Sequence, residues 1–126
     1  MRVLIADDQK DVSSTLTLLV HDCKHHVVEI VSSGLEAIQA YHRHHPDVVL
    51  MDYCMAKLNG ATACRYILAE DPAARIIFVS SWSVSDDFFD AGAIAVLKKP
   101  VNLDELGELL NSIEQQIVFD DGPARP

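Results

Sequence analysis

A chain of 126 residues with 49% hydrophobic content is sized for one domain around one core. Its formal charge of −9 argues against nonspecific nucleic-acid binding and attachment to an anionic membrane surface, which both need clustered Lys and Arg. Cys23, Cys54 and Cys64, odd in number and without CxxC spacing, argue against a disulfide framework or a structural zinc site; with no signal-peptide pattern and no bilayer-length apolar run, the expected location is a reducing cytoplasm.

Val3-Leu4-Ile5-Ala6 reads as a buried strand that ends in Asp7-Asp8. A helix follows through about Cys23. Val12, Leu16, Leu19, Val20 and Cys23 recur at helical spacing as its apolar face, which leaves Ser13, Ser14, Thr17 and His21 to solvent. The second strand is His26 to Val31, with Val27, Val28, Ile30 and Val31 as its apolar members. Ser33-Gly34-Leu35-Glu36 matches the capping box S-x-x-E and opens a second helix, with Leu35, Ile38 and Tyr41 expected inward. His42-Arg43-His44-His45 closes it before Pro46. These read as cationic residues at a helix C-terminus rather than as metal ligands.

Val48-Val49-Leu50-Met51 runs without a break into Asp52. The run is too short for a helix and too apolar for an edge strand, so it reads as a strand buried on both faces. Asn59 caps a third helix, striped by Cys64, Ile67 and Leu68 and ended by Asp71-Pro72. The fourth strand, Ile76 to Val79, leads into Ser80-Ser81-Trp82. A short helix then has Ser83 or Ser85 as cap and Phe88 and Phe89 inward, and it ends before Gly92. Asp86, Asp87 and Asp90 form its solvated face. Ile94 to Leu97 is the fifth strand, followed by Lys98-Lys99-Pro100. Asn102, with Glu105 three residues on, caps the last helix, whose inward stripe is Leu106, Leu109, Leu110, Ile113 and Ile117. The domain is expected over residues 1–118, with 119–126 as a tail or the start of a linker.

Five apolar strands alternating with helices predict a three-layer, doubly wound α/β fold of the flavodoxin-like kind, with a parallel sheet in the order 2-1-3-4-5. Winding reverses between the first and third strands, and ligands bind at that switch point, outside the carboxyl ends of the strands. The residues due there are Asp7 and Asp8, Asp52, Ser80 or Ser81, and Lys98 or Lys99. Three carboxylates so close resist ionising together, and a divalent cation removes the conflict. A hard, oxygen-only set that leaves room for water suits Mg²⁺. A carboxylate beside a metal can accept a phosphoryl group as a nucleophile, with the metal and a Lys neutralising the phosphoryl oxygens.

With this set the chain resembles the receiver domain of two-component response regulators over residues 1 to about 118. The resemblance rests on Asp7-Asp8, Asp52, Ser80 and Lys99-Pro100. It implies that Asp52 accepts a phosphoryl group from a phosphohistidine on a histidine kinase or phosphotransfer protein. Asp7 and Asp8 would hold Mg²⁺ with Asp52 and the backbone carbonyl of Cys54. Ser80 would be the switch hydroxyl, and Lys99, before a cis bond to Pro100, would pair with the phosphoryl group. Ser80 is preferred to Ser81 because it directly follows Val79, and Lys99 to Lys98 because it precedes Pro100. The resemblance further implies a signalling domain rather than an enzyme, with slow self-dephosphorylation as its only turnover. It implies a downstream protein partner or an effector domain, output through the fourth helix, fifth strand and fifth helix, and a dimer on phosphorylation.

Four departures stand beside these matches. Ala56 occupies a position where the family usually has Pro, Val96 stands where an aromatic switch residue is common, the Ser80 to Gly92 segment is short, and Trp82 replaces a small residue. They motivate an alternative, a receiver-like interaction module that signals without phosphorylation. A phosphatase with an Asp nucleophile would need a second Asp where Cys54 stands. A flavin module would need a Ser/Thr/Gly-rich phosphate loop after the first strand instead of an acidic pair.

Overall fold

A computed structural model describes residues 1–55, 57–81 and 86–121, with the backbone alone at 86, 87 and 119–121. Ala56, Trp82, the cap candidates Ser83 and Ser85, the side chains of Asp86 and Asp87, and tail residues 122–126 lie outside the described residues. The elements are β1 (Arg2–Ala6), α1 (Lys10–Asp22), β2 (His26–Val31), α2 (Gly34–His44), β3 (Val48–Asp52), α3 (Gly60–Glu70), β4 (Ile76–Ser80), α4 (Asp86–Asp90), β5 (Ala95–Lys98) and α5 (Leu103–Asp121). All strand pairs are parallel, in the order β2-β1-β3-β4-β5.

Strand period 2 divides the core between the two sheet faces. Val3, Ile5, Val48, Leu50, Ile77, Val79 and Leu97 point to one face and meet Leu16 and Val20 of α1 and Leu106, Leu110 and Ile113 of α5. Leu4, Ala6, Val49, Met51, Ile76 and Phe78 point to the other and meet residues of α2, α3 and α4. β1, β3 and β4 are therefore apolar on both faces, as their unbroken runs predict. Each fully buried aliphatic side chain stabilises the fold by about 1.5–3 kcal/mol relative to exposure. The ends of the helices are set locally. Ser33 and Asn59 accept from the amides of Glu36 and Thr62, and Asn102 accepts from Glu105 N–H at 3.1 Å.

Three expectations about facing and one strand bound are corrected. Leu35 is 50% exposed, because the inward face of α2 is Gly34, Ala37, Ala40 and Tyr41, and Leu35 stands about 100° or more round the helix from each of them. Phe89 is exposed while Phe88 is buried, since neighbours on a helix diverge by about 100°. Ile30, on the edge strand β2, is exposed. Ile94 lies exposed just before β5 rather than in it. Ser13 is buried rather than solvated, and its hydroxyl donates to Lys10 O within α1, so the polar atom keeps a partner.

The histidine run behaves as a helix end. His45 takes a left-handed conformation as the C-cap, and the Arg2 guanidinium donates to His44 O at 2.6 Å. Arg43 and His44 both meet Glu29 of β2, at 2.8 Å and 2.7 Å. No helix among the described residues is long and apolar enough to cross a membrane.

Candidate functional site

The carboxyl ends of β1, β3, β4 and β5 converge on one rim. Parallel register fixes the convergence, since Ala6 pairs with Met51, Asp52 with Val79, and Ser80 with Lys98. Strands about 4.8 Å apart in register bring residues far apart in sequence to hydrogen-bonding range. Asp7, Asp52 and Ser80 are all buried, whereas Asp8 is exposed. One carboxylate oxygen from each of Asp7, Asp8 and Asp52 lies within 4.8 Å of the others. Among the described residues no other His, Cys, Asp and Glu side chains form such a group.

Lys99 closes the rim. Its ammonium stands 3.1 Å from Asp7 Oδ2 and 3.5 Å from Asp52 Oδ1, and it donates to Gln9 Oε1 at 3.4 Å. Lys99 N–H donates to Ser80 O at 2.8 Å, and the Lys99–Pro100 bond is cis. Lys98 is the last residue of β5 and is exposed, and Ser81 is exposed as well. Lys99, rather than Lys98, therefore meets the acids, and Ser80, rather than Ser81, is the buried serine at the end of β4.

The acids differ in their surroundings. Asp7 Oδ1 accepts from Gln9 N–H at 2.8 Å in a short Asx turn. Asp7 Oδ2 is buried and accepts no hydrogen bond among the described residues; Lys99 is near enough for an ion pair but outside hydrogen-bond geometry. Asp52 Oδ1 accepts from Cys54 N–H at 3.3 Å. Burial holds the Asp52 carboxyl above its usual range. The Asp7 charge adds to that, the Lys99 ammonium and the Cys54 amide oppose it, and Asp8 raises it further. A buried oxygen without a donor, in an all-oxygen set of three carboxylates against one ammonium, fits a hard divalent cation.

The β3–α3 loop is held from below and from both ends. Tyr53 packs edge-on against Phe78 and Phe88, with ring centroids 5.2 Å and 4.6 Å away. Gly60 N–H donates to Tyr53 O at 2.9 Å, and Gly34 N–H of α2 donates to Leu58 O at 3.1 Å. Cys54 itself is exposed, and burial with the Asp52 charge pushes its thiol upward. A groove of about 360 Å³ adjoins the rim between α1 and the turn after β5, lined by Val12, Leu16, Lys99, Pro100 and Val101 among others.

Sequence reasoning did not single out Gln9, Tyr53 or Gly34. The Asp7-Asp8-Gln9 turn carried a usable signal, an Asp two residues before a free amide. The contacts of Tyr53 and Gly34 are tertiary and had none.

A sequence model described as the response regulator receiver domain matches residues 3–111. Chemotaxis protein CheY of Listeria monocytogenes is 32% identical over 113 residues, which span 87% of this chain and 95% of that protein. Among solved structures, a LuxR-family two-component response regulator from Aurantimonas sp. SI85-9A1 is similar with a TM-score of 0.84 at 28% identity, covering 91% of this chain and 85% of that one. The CheX–CheY–BeF₃–Mg²⁺ complex from Borrelia burgdorferi gives a TM-score of 0.85 at 26% identity, covering 90% of this chain and 89% of the other.

Proposed function

The chain belongs to the response regulator receiver domain family, and on that premise we propose that it accepts a phosphoryl group on Asp52 in two-component signalling. One carboxylate oxygen of Asp52 attacks the phosphorus of a phosphohistidine on a kinase or phosphotransfer partner. The P–N bond breaks, and the leaving imidazole nitrogen takes the electron pair and then a proton from solvent. The Lys99 ammonium meets a phosphoryl oxygen, and the Ser80 hydroxyl on the neighbouring strand donates to another in the product. Asp7, Asp8, Asp52 and the Cys54 carbonyl are the residues to hold Mg²⁺, which when bound supplies charge neutralisation at the phosphoryl oxygens. Asp7 is anchored for that task by Gln9 N–H.

The observation that carries the reading is three carboxylate oxygens within 4.8 Å of one another, with the Lys99 ammonium 3.5 Å from Asp52. The partners follow from the same chemistry: a phosphohistidine donor, and a downstream protein or effector domain that reads the altered surface, with dimerisation as one form of output. The unit is a signalling domain, 1–118, in the cytoplasm, and hydrolysis of its own anhydride is its only turnover. Treatment with a small-molecule phosphodonor should add one phosphoryl group in Mg²⁺ and none in EDTA. Peptide mass spectrometry should place it on Asp52, and Asp52→Asn should stay unlabelled. No adduct, or an adduct elsewhere, would refute the assignment.

One observation favours a second reading. Val96, an aliphatic residue three positions before Lys99, packs against the core rather than offering an aromatic ring to reorient. A module that signals by binding alone would keep full partner affinity in Asp52→Asn.

A further inference from the structure

We propose that Gly34, at the start of α2, is a positioning residue for the Asp52 site through its contact with the β3–α3 loop. The inference rests on the phosphoryl-accepting reading and adds to it a part that lies outside the acidic rim.

Gly34 is far in sequence from Asp7, Asp8 and Asp52, yet it touches the loop that follows Asp52. A Cβ at Gly34 would lie 2.1 Å from Leu58 O, 2.8 Å from Leu58 C and 3.0 Å from Leu58 Cβ. Two of these atoms are backbone, so no side-chain rotation relieves the clash. Either α2 or the loop must move by about 1 Å to restore ordinary van der Waals separation.

The helix is the fixed partner. Ser33, buried at the N-cap, accepts from Glu36 N–H at 3.1 Å, and its hydroxyl donates to Glu36 Oε1 at 3.0 Å. Ala37, Ala40 and Tyr41 bind the inner face of α2 into the core. The loop is the yielding partner, since Lys57 and Asn59 are exposed and Lys57 is already left-handed at φ 69°.

The loop is fastened at its ends. Its far end is closed by the Gly60-to-Tyr53 hydrogen bond at 2.9 Å, and a Cβ at Gly60 would lie 2.3 Å from Asp52 O. On this proposal a shift at Leu58 reaches Cys54 in the same loop, whose amide donates to Asp52 Oδ1 and whose carbonyl is the proposed metal ligand. Groups that orient metal ligands typically change affinity by about 10–100-fold when altered.

The test is Mg²⁺ titration by isothermal titration calorimetry on wild type, Gly34→Ala, Leu58→Gly and Ala37→Gly, with thermal melts in EDTA for each. Gly34→Ala pushes the loop, and Leu58→Gly loosens the loop backbone and removes the Leu58 side chain while leaving the α2 sequence unchanged. Ala37→Gly weakens the same helix away from the loop and serves as the stability control. About tenfold weaker Mg²⁺ binding is expected in the first two. Ala37→Gly should lower Tm and leave Mg²⁺ affinity within twofold of wild type. If Gly34→Ala does not fold, Leu58→Gly carries the test alone. Wild-type Mg²⁺ affinity in every folded loop variant, or an equal loss in Ala37→Gly, would overturn the inference. A wild type that binds no Mg²⁺ would sink the underlying functional reading and the inference with it.

Discussion

Replacing Asp52 by Asn should stabilise the metal-free protein. Unit charges 4.8 Å apart, the outer limit for the Asp7–Asp52 pair, repel by about 3.5 kcal/mol at an effective dielectric of 20, and the Lys99–Asp52 pair at 3.5 Å attracts by about 4.7 kcal/mol. Asp8 is exposed and screened, so it adds little. The two large terms nearly cancel, and the burial of the Asp52 carboxylate, which is only 6% exposed, then decides the sign. Asparagine removes the charge while its carbonyl can still accept from Cys54 N–H, and Lys99 keeps Asp7 and Gln9. The gain should be about 1–2 kcal/mol, or roughly 5 °C in Tm for a domain of this size.

The assay is thermal denaturation followed by circular dichroism, in EDTA and in Mg²⁺, across a pH series. The folded pKa of Asp52 lies above its unfolded value of 3.8, so the folded state binds the extra proton between the two. Wild-type stability relative to Asp52→Asn therefore falls as pH rises from 3.8 through the folded pKa, and the full gap is present above it. The gap should close as pH falls back to that range. Magnesium at 100 times its Kd should add about 2.7 kcal/mol to wild type and less to the variant, and so invert the order. A less stable variant in EDTA at pH 7, or equal Mg²⁺ increments in both proteins, would refute the reasoning.

Lys99→Ala should act in the opposite direction, costing about 2 kcal/mol in urea unfolding because Asp7 Oδ2 and Asp52 lose their cation. It should also abolish the response to beryllium fluoride, read by NMR. The three thiols should react with Ellman's reagent in order of exposure, Cys54 first and Cys23 next. Cys64, buried with its thiol pushed up to about 11, should react only at the rate of unfolding.

Much of this molecule is legible without coordinates. The three caps at Ser33, Asn59 and Asn102 follow from a side-chain oxygen placed before free helical amides, a relation spanning three residues. The strand order follows from the unbroken apolar runs of β1, β3 and β4 and from the handedness of crossovers. The acids, one hydroxyl and one ammonium belong at strand ends because a chain leaving a buried strand places its next polar residue on the rim.

Choices between neighbours were decided elsewhere. Leu35 against Ala37, and Phe88 against Phe89, differ by a rotation that hydrophobicity alone does not set, because the neighbouring element determines which side is covered. The choice of Lys99 over Lys98 depends on where β5 ends against Ser80. The contact of Gly34 with Leu58 joins the start of α2 to a loop that no local pattern connects with it. Sequence determined which groups stand at the ends of which elements, since helical and strand periods belong to the chain itself. Only the folded sheet decided their distances, because register and strand spacing arise when separate segments hydrogen-bond, and with those distances came the charge balance at Asp52.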